Sequence, residues 1–245
     1  MKKLPEITAL FWIMKICATT LGETAGDLLA QTMNVGYAIS SIILLTGFIV
    51  TLAAQLTTKK YIPIVYWLVI LSTSTAGTTM SDFMDRTLGL GYATGSLILI
   101  TLLCTVLFVW YKTEKSLSVT DIKTTRAELF YWTAILFSNT LGTALGDFLA
   151  DNSGLGFAGG AILIGGVLLL VILAHYFSKI SSVLLFWVAF VLTRPFGATF
   201  GDLLTKTNAK GGLDFGTKGS SLILFIVLVG LVVYTTFKKQ LTPNS

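Results

Sequence analysis

The chain has 245 residues, of which 54% are hydrophobic and only 12% charged, and its mean hydropathy is +0.81. So many apolar residues with so few charges exclude a water-soluble enzyme, a secreted disulfide scaffold, a disordered chain and a coiled coil, and they point to an all-α integral membrane protein. The net charge of +5 comes from 17 Lys and Arg scattered between apolar runs, a pattern that marks topology, so no nucleic-acid partner is expected and the lipid bilayer is.

In chain order, Met1-Lys2-Lys3 leads into an apolar run with no small-residue cleavage site, which predicts a retained membrane helix. Residues 10–57 then offer two apolar stretches around a Gly-containing turn. Tyr61 to Tyr111 offers 51 residues whose only charges are Asp82, Asp85 and Arg86, enough for two spans of roughly 20 residues each. The same shape returns at 129–178 and 183–238, the last with a longer outer loop from Thr205 to Lys218. The expectation is eight transmembrane helices in a single membrane domain, 1–245, with repeats 1–57, 58–113, 126–178 and 179–240. Its halves, 1–113 and 126–240, are joined by a cytoplasmic linker, 114–125.

Lys2, Lys3, Lys59, Lys60, Lys112, Lys115, Lys123, Arg126, Lys179, Lys238 and Lys239 fall on one face of this arrangement. Arg86, Lys206, Lys210 and Lys218 fall on the other, and Lys15 and Arg194 lie within spans. The positive-inside rule therefore predicts a membrane protein with both termini cytoplasmic and the four hairpin tips outside. Cys17 and Cys104 lie in apolar stretches and support neither a disulfide framework nor a thiolate metal site.

Trp12, Trp67, Trp132 and Trp187 are each followed after 15 residues by Asp27, Asp82, Asp147 and Asp202, a four-fold internal repeat. Five positions before each Asp stands Gly22, Gly77, Gly142 or Gly197, and immediately before it Gly26, Ser81, Gly146 or Gly201. The return helix is entered through Gly36-Tyr37, Gly91-Tyr92, Gly156-Phe157 and, less cleanly, Asp214-Phe215. A spacing of 120 residues relates the first Trp to the third and the second to the fourth, as though a hairpin had been duplicated twice. Two spans per unit give all units one orientation, so the pseudo-symmetry axis runs along the membrane normal and the hairpins are parallel.

This Trp to Gly-x-x-x-small-Asp pattern resembles a bacterial integral membrane family of uncharacterised function, defined by four tandem two-helix repeats each with a tryptophan. The resemblance implies an architecture and no reaction. A looser likeness is to cation exporters with a Glu-x-Gly-Asp signature, echoed by Glu23-Thr24-Ala25-Gly26-Asp27. Here two residues separate Glu from Gly, the Glu occurs in one repeat, and no basic residue directly follows the Asp.

At 100° per residue, the positions 1, 4, 5, 8, 12 and 15 before each Asp fall in one stripe. The stripe carries Lys15, Thr19 and Glu23 in the first repeat, Ser74 and Thr78 in the second, Asn139 and Thr143 in the third, and Arg194 in the fourth. A carboxylate facing lipid costs several kcal/mol, so the odd-numbered helices are expected to turn this stripe inward. Four carboxylates then converge at one depth, roughly 22 Å from the Trp level at 1.5 Å per residue. They must protonate, pair with a cationic side chain or collect a cation.

Arg194 is the expected internal counter-ion, or a structural salt bridge beside Pro195. Lys15 is either a second counter-ion or a residue that snorkels toward the cytoplasmic surface. The tryptophans form either an interfacial belt or an inward plug. Asp85 with Arg86, and Asp151, are expected to be solvated at the tips. The small residues permit close helix packing, and the ring aspartates either carry function or brace the turns.

The functional expectation is a transporter or channel for cations, more specifically a divalent, Mn²⁺-like metal, possible proton coupling included. Asp27, Asp82, Asp147, Asp202 and Glu23 would be metal-binding residues. Thr78, Thr143, Asn139, Ser74, Arg194, Trp12, Trp67, Trp132 and Trp187 would line the path. No resident cofactor is expected, and the divalent cation is substrate. His175, the only histidine, falls at the cytoplasmic end of the sixth span, which disfavours a dedicated zinc or copper site. The alternatives are a structural or assembly protein that binds a partner helix or lipid, and a carrier of a small organic cation. An enzyme is not expected, because neither a nucleophile beside a histidine nor a phosphate-cradling loop occurs.

Overall fold

The computed structural model describes residues 3–122 and 124–241; Lys2 and Lys123 of the basic face lie outside the described residues, as does the side chain of Lys239. The described residues form eight α-helices and no strand: α1 Ala9–Asp27, α2 Tyr37–Thr57, α3 Pro63–Asp82, α4 Gly91–Glu114, α5 Thr125–Asp147, α6 Gly156–Phe177, α7 Ser182–Thr205 and α8 Thr217–Leu241. Thr8 and Thr124 cap α1 and α5 through their side chains, and Pro63 opens α3 where its missing N–H costs nothing.

Each of α1, α3 and α5 ends on its repeat aspartate and widens at once into a single π-turn, Leu28–Thr32, Phe83–Thr87 and Phe148–Asn152. π-turns of this kind concentrate at functional sites. The return helices start from glycines with positive φ, Gly36, Gly91 and Gly156, where a side chain would be strained. In the fourth repeat that role falls to Gly216, at φ 71°, rather than to the expected Asp214-Phe215 step.

The odd-numbered helices pack as a closed inner ring in the order α1, α3, α5, α7, and back to α1. The even-numbered helices form an outer layer in which α2 lies along α3, α4 along α5, α6 along α7 and α8 along α1. Each return helix thus packs on the next repeat rather than on its own hairpin partner, and α8 closes the circle. The Thr51–Ser72 hydroxyl contact at 2.8 Å joins α2 to α3, and the Ser221–Thr24 contact at 2.9 Å joins α8 to α1.

The inner ring is drawn tight by one repeated steric device. A Cβ on Gly22 would collide with Ser74 Cβ, one on Gly77 would lie 3.0 Å from Asn139, one on Gly142 would strike the Arg194 stem, and one on Gly197 would lie 2.8 Å from Thr19 Cβ. Each glycine five residues before an Asp therefore receives the residue eight before the next Asp, around the whole circle. The match puts equivalent residues of all four helices at common levels and makes the helices parallel. Hydrogen bonds follow where the backbones meet, from Thr19 to the Thr193 carbonyl at 3.1 Å and from Thr78 to the Gly22 carbonyl at 3.1 Å.

Polarity is inverted relative to a water-soluble bundle. Lys15, Thr19, Glu23, Ser74, Thr78, Asn139, Thr143 and Arg194 are buried, whereas Ile42, Leu97, Ile162 and Ile223 on the outer helices are exposed. By length and composition, α2, α4, α6, α7 and α8 are apolar enough to cross a membrane. The remaining three, α1, α3 and α5, carry the polar stripe together with α7, and the outer layer shields it. The chain is a membrane protein with an internal repeat.

The tryptophan level is an aromatic floor rather than an interfacial belt. Trp67, Trp132 and Trp187 are buried and Trp12 is half-buried. Phe11, Tyr66, Tyr131 and Phe186, one residue earlier in each repeat, complete the layer, with the Tyr66 and Tyr131 hydroxyls 2.7 Å apart. The linker docks beneath it, burying Val119 and Ile122 and accepting the Trp187 indole N–H at the Leu117 carbonyl, 3.0 Å away.

Substitution of Gly77 by Val is expected to lower stability by about 1–3 kcal/mol through overpacking, whereas Gly47 of α2, which has open space around it, tolerates Ala with no loss. Trp132→Ala is expected to cost about 3–5 kcal/mol, and Trp12→Ala less because Trp12 is only half-buried. Thermal unfolding in detergent micelles measures all four.

Candidate functional site

Because the inner helices share one register, the stripe resolves into levels stacked along the ring axis. From the aromatic floor upward, the first level holds Lys15, Ile70, Ile135 and Phe190, all fully buried. The second holds Thr19, Ser74, Asn139 and Arg194, and the third Glu23, Thr78, Thr143 and Ala198. The fourth is the ring of Asp27, Asp82, Asp147 and Asp202, which are buried to within 3%.

The four aspartates divide into two pairs, each stapled by one cation. Arg86 Nε lies 2.9 Å from Asp82 Oδ1 and its Nη2 lies 2.9 Å from Asp147 Oδ2. Lys206 Nζ lies 2.6 Å from Asp27 Oδ2 and 3.1 Å from Asp202 Oδ1. Each cation stands four residues beyond the Asp of its own repeat and reaches the Asp of the next, so it bridges neighbouring helices. The corresponding position is Gln31 in repeat one, which donates to Asp27, and Asp151 in repeat three, which accepts from the Tyr92 hydroxyl at 3.1 Å.

Arg86 is exposed at the tip, as its place in the chain suggests, yet its guanidinium also reaches down to the ring. Asp85, by contrast, is buried rather than solvated: it accepts from Ser81 at 3.3 Å and occupies the space that Gly95 leaves open. Asp151 is exposed, as expected. Arg86 and Lys206 escaped the sequence reading because no repeat-wide pattern marks them, although the 120-residue spacing that relates the two halves also relates these two cations.

One turn deeper, Arg194 pairs with Glu23 rather than with the aspartates, Nη1 to Oε2 at 3.0 Å. Its Nη2 donates to the Thr78 hydroxyl and, at 3.3 Å, to the Ser74 carbonyl. Thr143 donates to the same Glu23 oxygen at 3.5 Å. Arg194 is fully buried and cross-ties α7 to α1 and α3. Glu23 also approaches the ring above, since Glu23, Asp147 and Asp202 each bring one oxygen within 4.8 Å of the others. The contacts of Glu23 thus draw on all four repeats, with α5 contributing Thr143 and Asp147.

Lys15 does not snorkel; it is fully buried below Arg194. Its ammonium donates to Asn139 Oδ1 at 3.4 Å and lies 4.0 Å from the Phe190 ring centroid. Asn139 in turn donates to Thr73 at 3.0 Å. His175 is exposed at the far end of α6, against Tyr176, and takes no part.

Across the second to fourth levels and the staples above them, five carboxylates face three cations, Arg86, Arg194 and Lys206. With all of them ionised the cluster has two negative charges in excess. Hard oxygen donors with that excess suit a divalent cation.

The family model described as Repeat of Unknown Function (DUF347) matches residues 10–61, 65–116, 130–181 and 185–240. No curated protein matches the chain, and neither does any solved structure, so the likeness to Glu-x-Gly-Asp cation exporters finds no support there. Four consecutive matches cover most of the chain, from just before the first Trp to the last apolar helix: it belongs to the DUF347 repeat family.

Proposed function

We propose that the protein is a membrane carrier for cations, with a divalent metal of the Mn²⁺ type as substrate and the aspartate ring with Glu23 as its binding site. The observation that carries this reading is a buried layer, built from all four repeats, in which five carboxylates meet only three cations. In the arrangement described, Arg86 and Lys206 serve as tethered stand-ins for the substrate. Their side chains are 34% and 18% exposed, so they reach the ring from its rim. An arriving cation competes with them for the carboxylates, and displacement of a staple frees two oxygens from adjacent helices at once.

The reading includes eight spans around an axis along the membrane normal, in a bacterial inner membrane, with both termini cytoplasmic. The aromatic floor then closes the cytoplasmic side, and the aspartate ring lies nearer the outer face. Reporter fusions after Lys60 and Lys179 are expected to report a cytoplasmic location, and fusions after Gly89 and Gly211 an external one; the reverse pattern refutes this topology.

A second reading, a structural protein in which the staples only hold the repeats together, draws on the same bridges, because each ties two neighbouring inner helices. Transport separates the two. Asp82→Asn combined with Asp202→Asn is expected to reduce Mn²⁺ flux by at least the roughly 10–100-fold that losing an outer-shell partner costs a metal site. Unchanged flux and unchanged metal tolerance remove the carrier reading.

Lys206→Gln gives the sharper contrast. A carrier lacking one stand-in binds Mn²⁺ more tightly. A purely structural staple, once removed, leaves two unpaired buried carboxylates and costs about 3–5 kcal/mol, which added Mn²⁺ does not recover. Thermal unfolding with and without Mn²⁺ reads both outcomes.

A further inference from the structure

Every cation of the upper levels is held by a carboxylate, and Lys15 is not. Its neighbours are Asn139 of α5 at 3.4 Å and the face of Phe190 of α7 at 4.0 Å. From α3 the matching levels contribute Ile70 and Ser74, and α8 carries no acidic or basic residue between Lys218 and Lys238. The charged group of α7 that acts on it is Arg194, one level above, and the nearest acid on its own helix is Glu23, eight residues or about 12 Å along α1.

This environment accommodates Lys15 in two charge states. The Phe190 ring face supports an ammonium, and the Asn139 carbonyl oxygen accepts a hydrogen bond from an ammonium or an amine alike. Asn139 is itself oriented by its bond to Thr73, so the acceptor is fixed in place. What decides between the states is then the charge of the levels above. With the five carboxylates ionised against three cations, a proton on Lys15 is attracted; with a divalent cation bound, that attraction is cancelled and Arg194 repels it.

We propose that Lys15 is the proton-coupling residue of the carrier: its ammonium gives up a proton when the carboxylate levels take up a divalent cation, and regains one when they empty. The N–H bond breaks, its electron pair stays on Nζ, and the proton passes to water on one side of the membrane. The inference rests on the cation reading. Lys15 touches none of the carboxylates, so it acts through charge and not as a ligand.

The test uses full-length protein in liposomes, with one dye that reports Mn²⁺ and another that reports internal pH. Wild type is expected to exchange Mn²⁺ against protons, and Lys15→Arg, which keeps a permanent cation in the same place, to move Mn²⁺ with one proton fewer per metal. Mn²⁺ flux with an unchanged proton ratio in the variant overturns the role of Lys15 and leaves the carrier standing. Wild type that moves no Mn²⁺ overturns both. Should the variant not fold, the Nζ nitrogen signal of ¹⁵N-lysine-labelled wild type decides the matter, with diamagnetic Mg²⁺ as the probe. A buried lysine signal that turns from ammonium to amine on saturation supports the proposal, and one that stays put refutes it.

Discussion

Charge pairing inside an apolar shell governs this molecule. Five carboxylates are gathered where neither water nor lipid can solvate them, and the outer helices present Ile, Leu, Val and Phe to their surroundings. Unpaired, each acid would cost several kcal/mol. The inner ring is accordingly organised by who neutralises whom. Arg86 takes Asp82 and Asp147, Lys206 takes Asp27 and Asp202, and Arg194 takes Glu23. The bridges run between neighbouring helices, so they also set how those helices are held.

Two symmetries coexist in the bundle. The backbone is close to four-fold, because the same glycine meets the same level of the next helix at every step of the ring. The charges are two-fold, because only the second and fourth repeats supply a staple. Four cations would neutralise the ring and none would leave it fully charged; two leave every aspartate in contact with a cation. Repeats one and three are then free to differ, and they carry Gln31 and Asp151 at that position. Lower down the symmetry disappears, since Glu23, Arg194 and Lys15 each occur once per chain in their levels.

Much of this was legible before any coordinates. The Trp and Asp repeat, the inward stripe and the small residues at close approach are all matters of periodicity, and periodicity is local. Arg194 was recognisable as a charge that needed a partner, but its choice of Glu23 over the aspartates depends on which residue of α1 lies opposite it. Lys15 was ambiguous for the same reason: a lysine six residues into a helix either reaches the surface or does not, depending on what lies over it. The tryptophans fit a belt or a plug equally well from spacing alone, and the buried partners at the preceding position decide for the plug. Gly216 replaced Asp214-Phe215 because the longer fourth loop shifts the turn.

The sequence by itself determined the eight helices, their repeat and the face each inner helix must hide, since burial of a polar stripe in an apolar bundle is dictated by composition and a 100° step. Only the tertiary structure decided that the return helices pack on the following repeat, that α8 closes the circle, and that Arg86 and Lys206 divide the four aspartates between them. These outcomes rest on contacts between residues far apart in the chain, 179 positions for Asp27 and Lys206 and 197 for Thr24 and Ser221, and the strength of an ion pair is set by distance and burial in three dimensions.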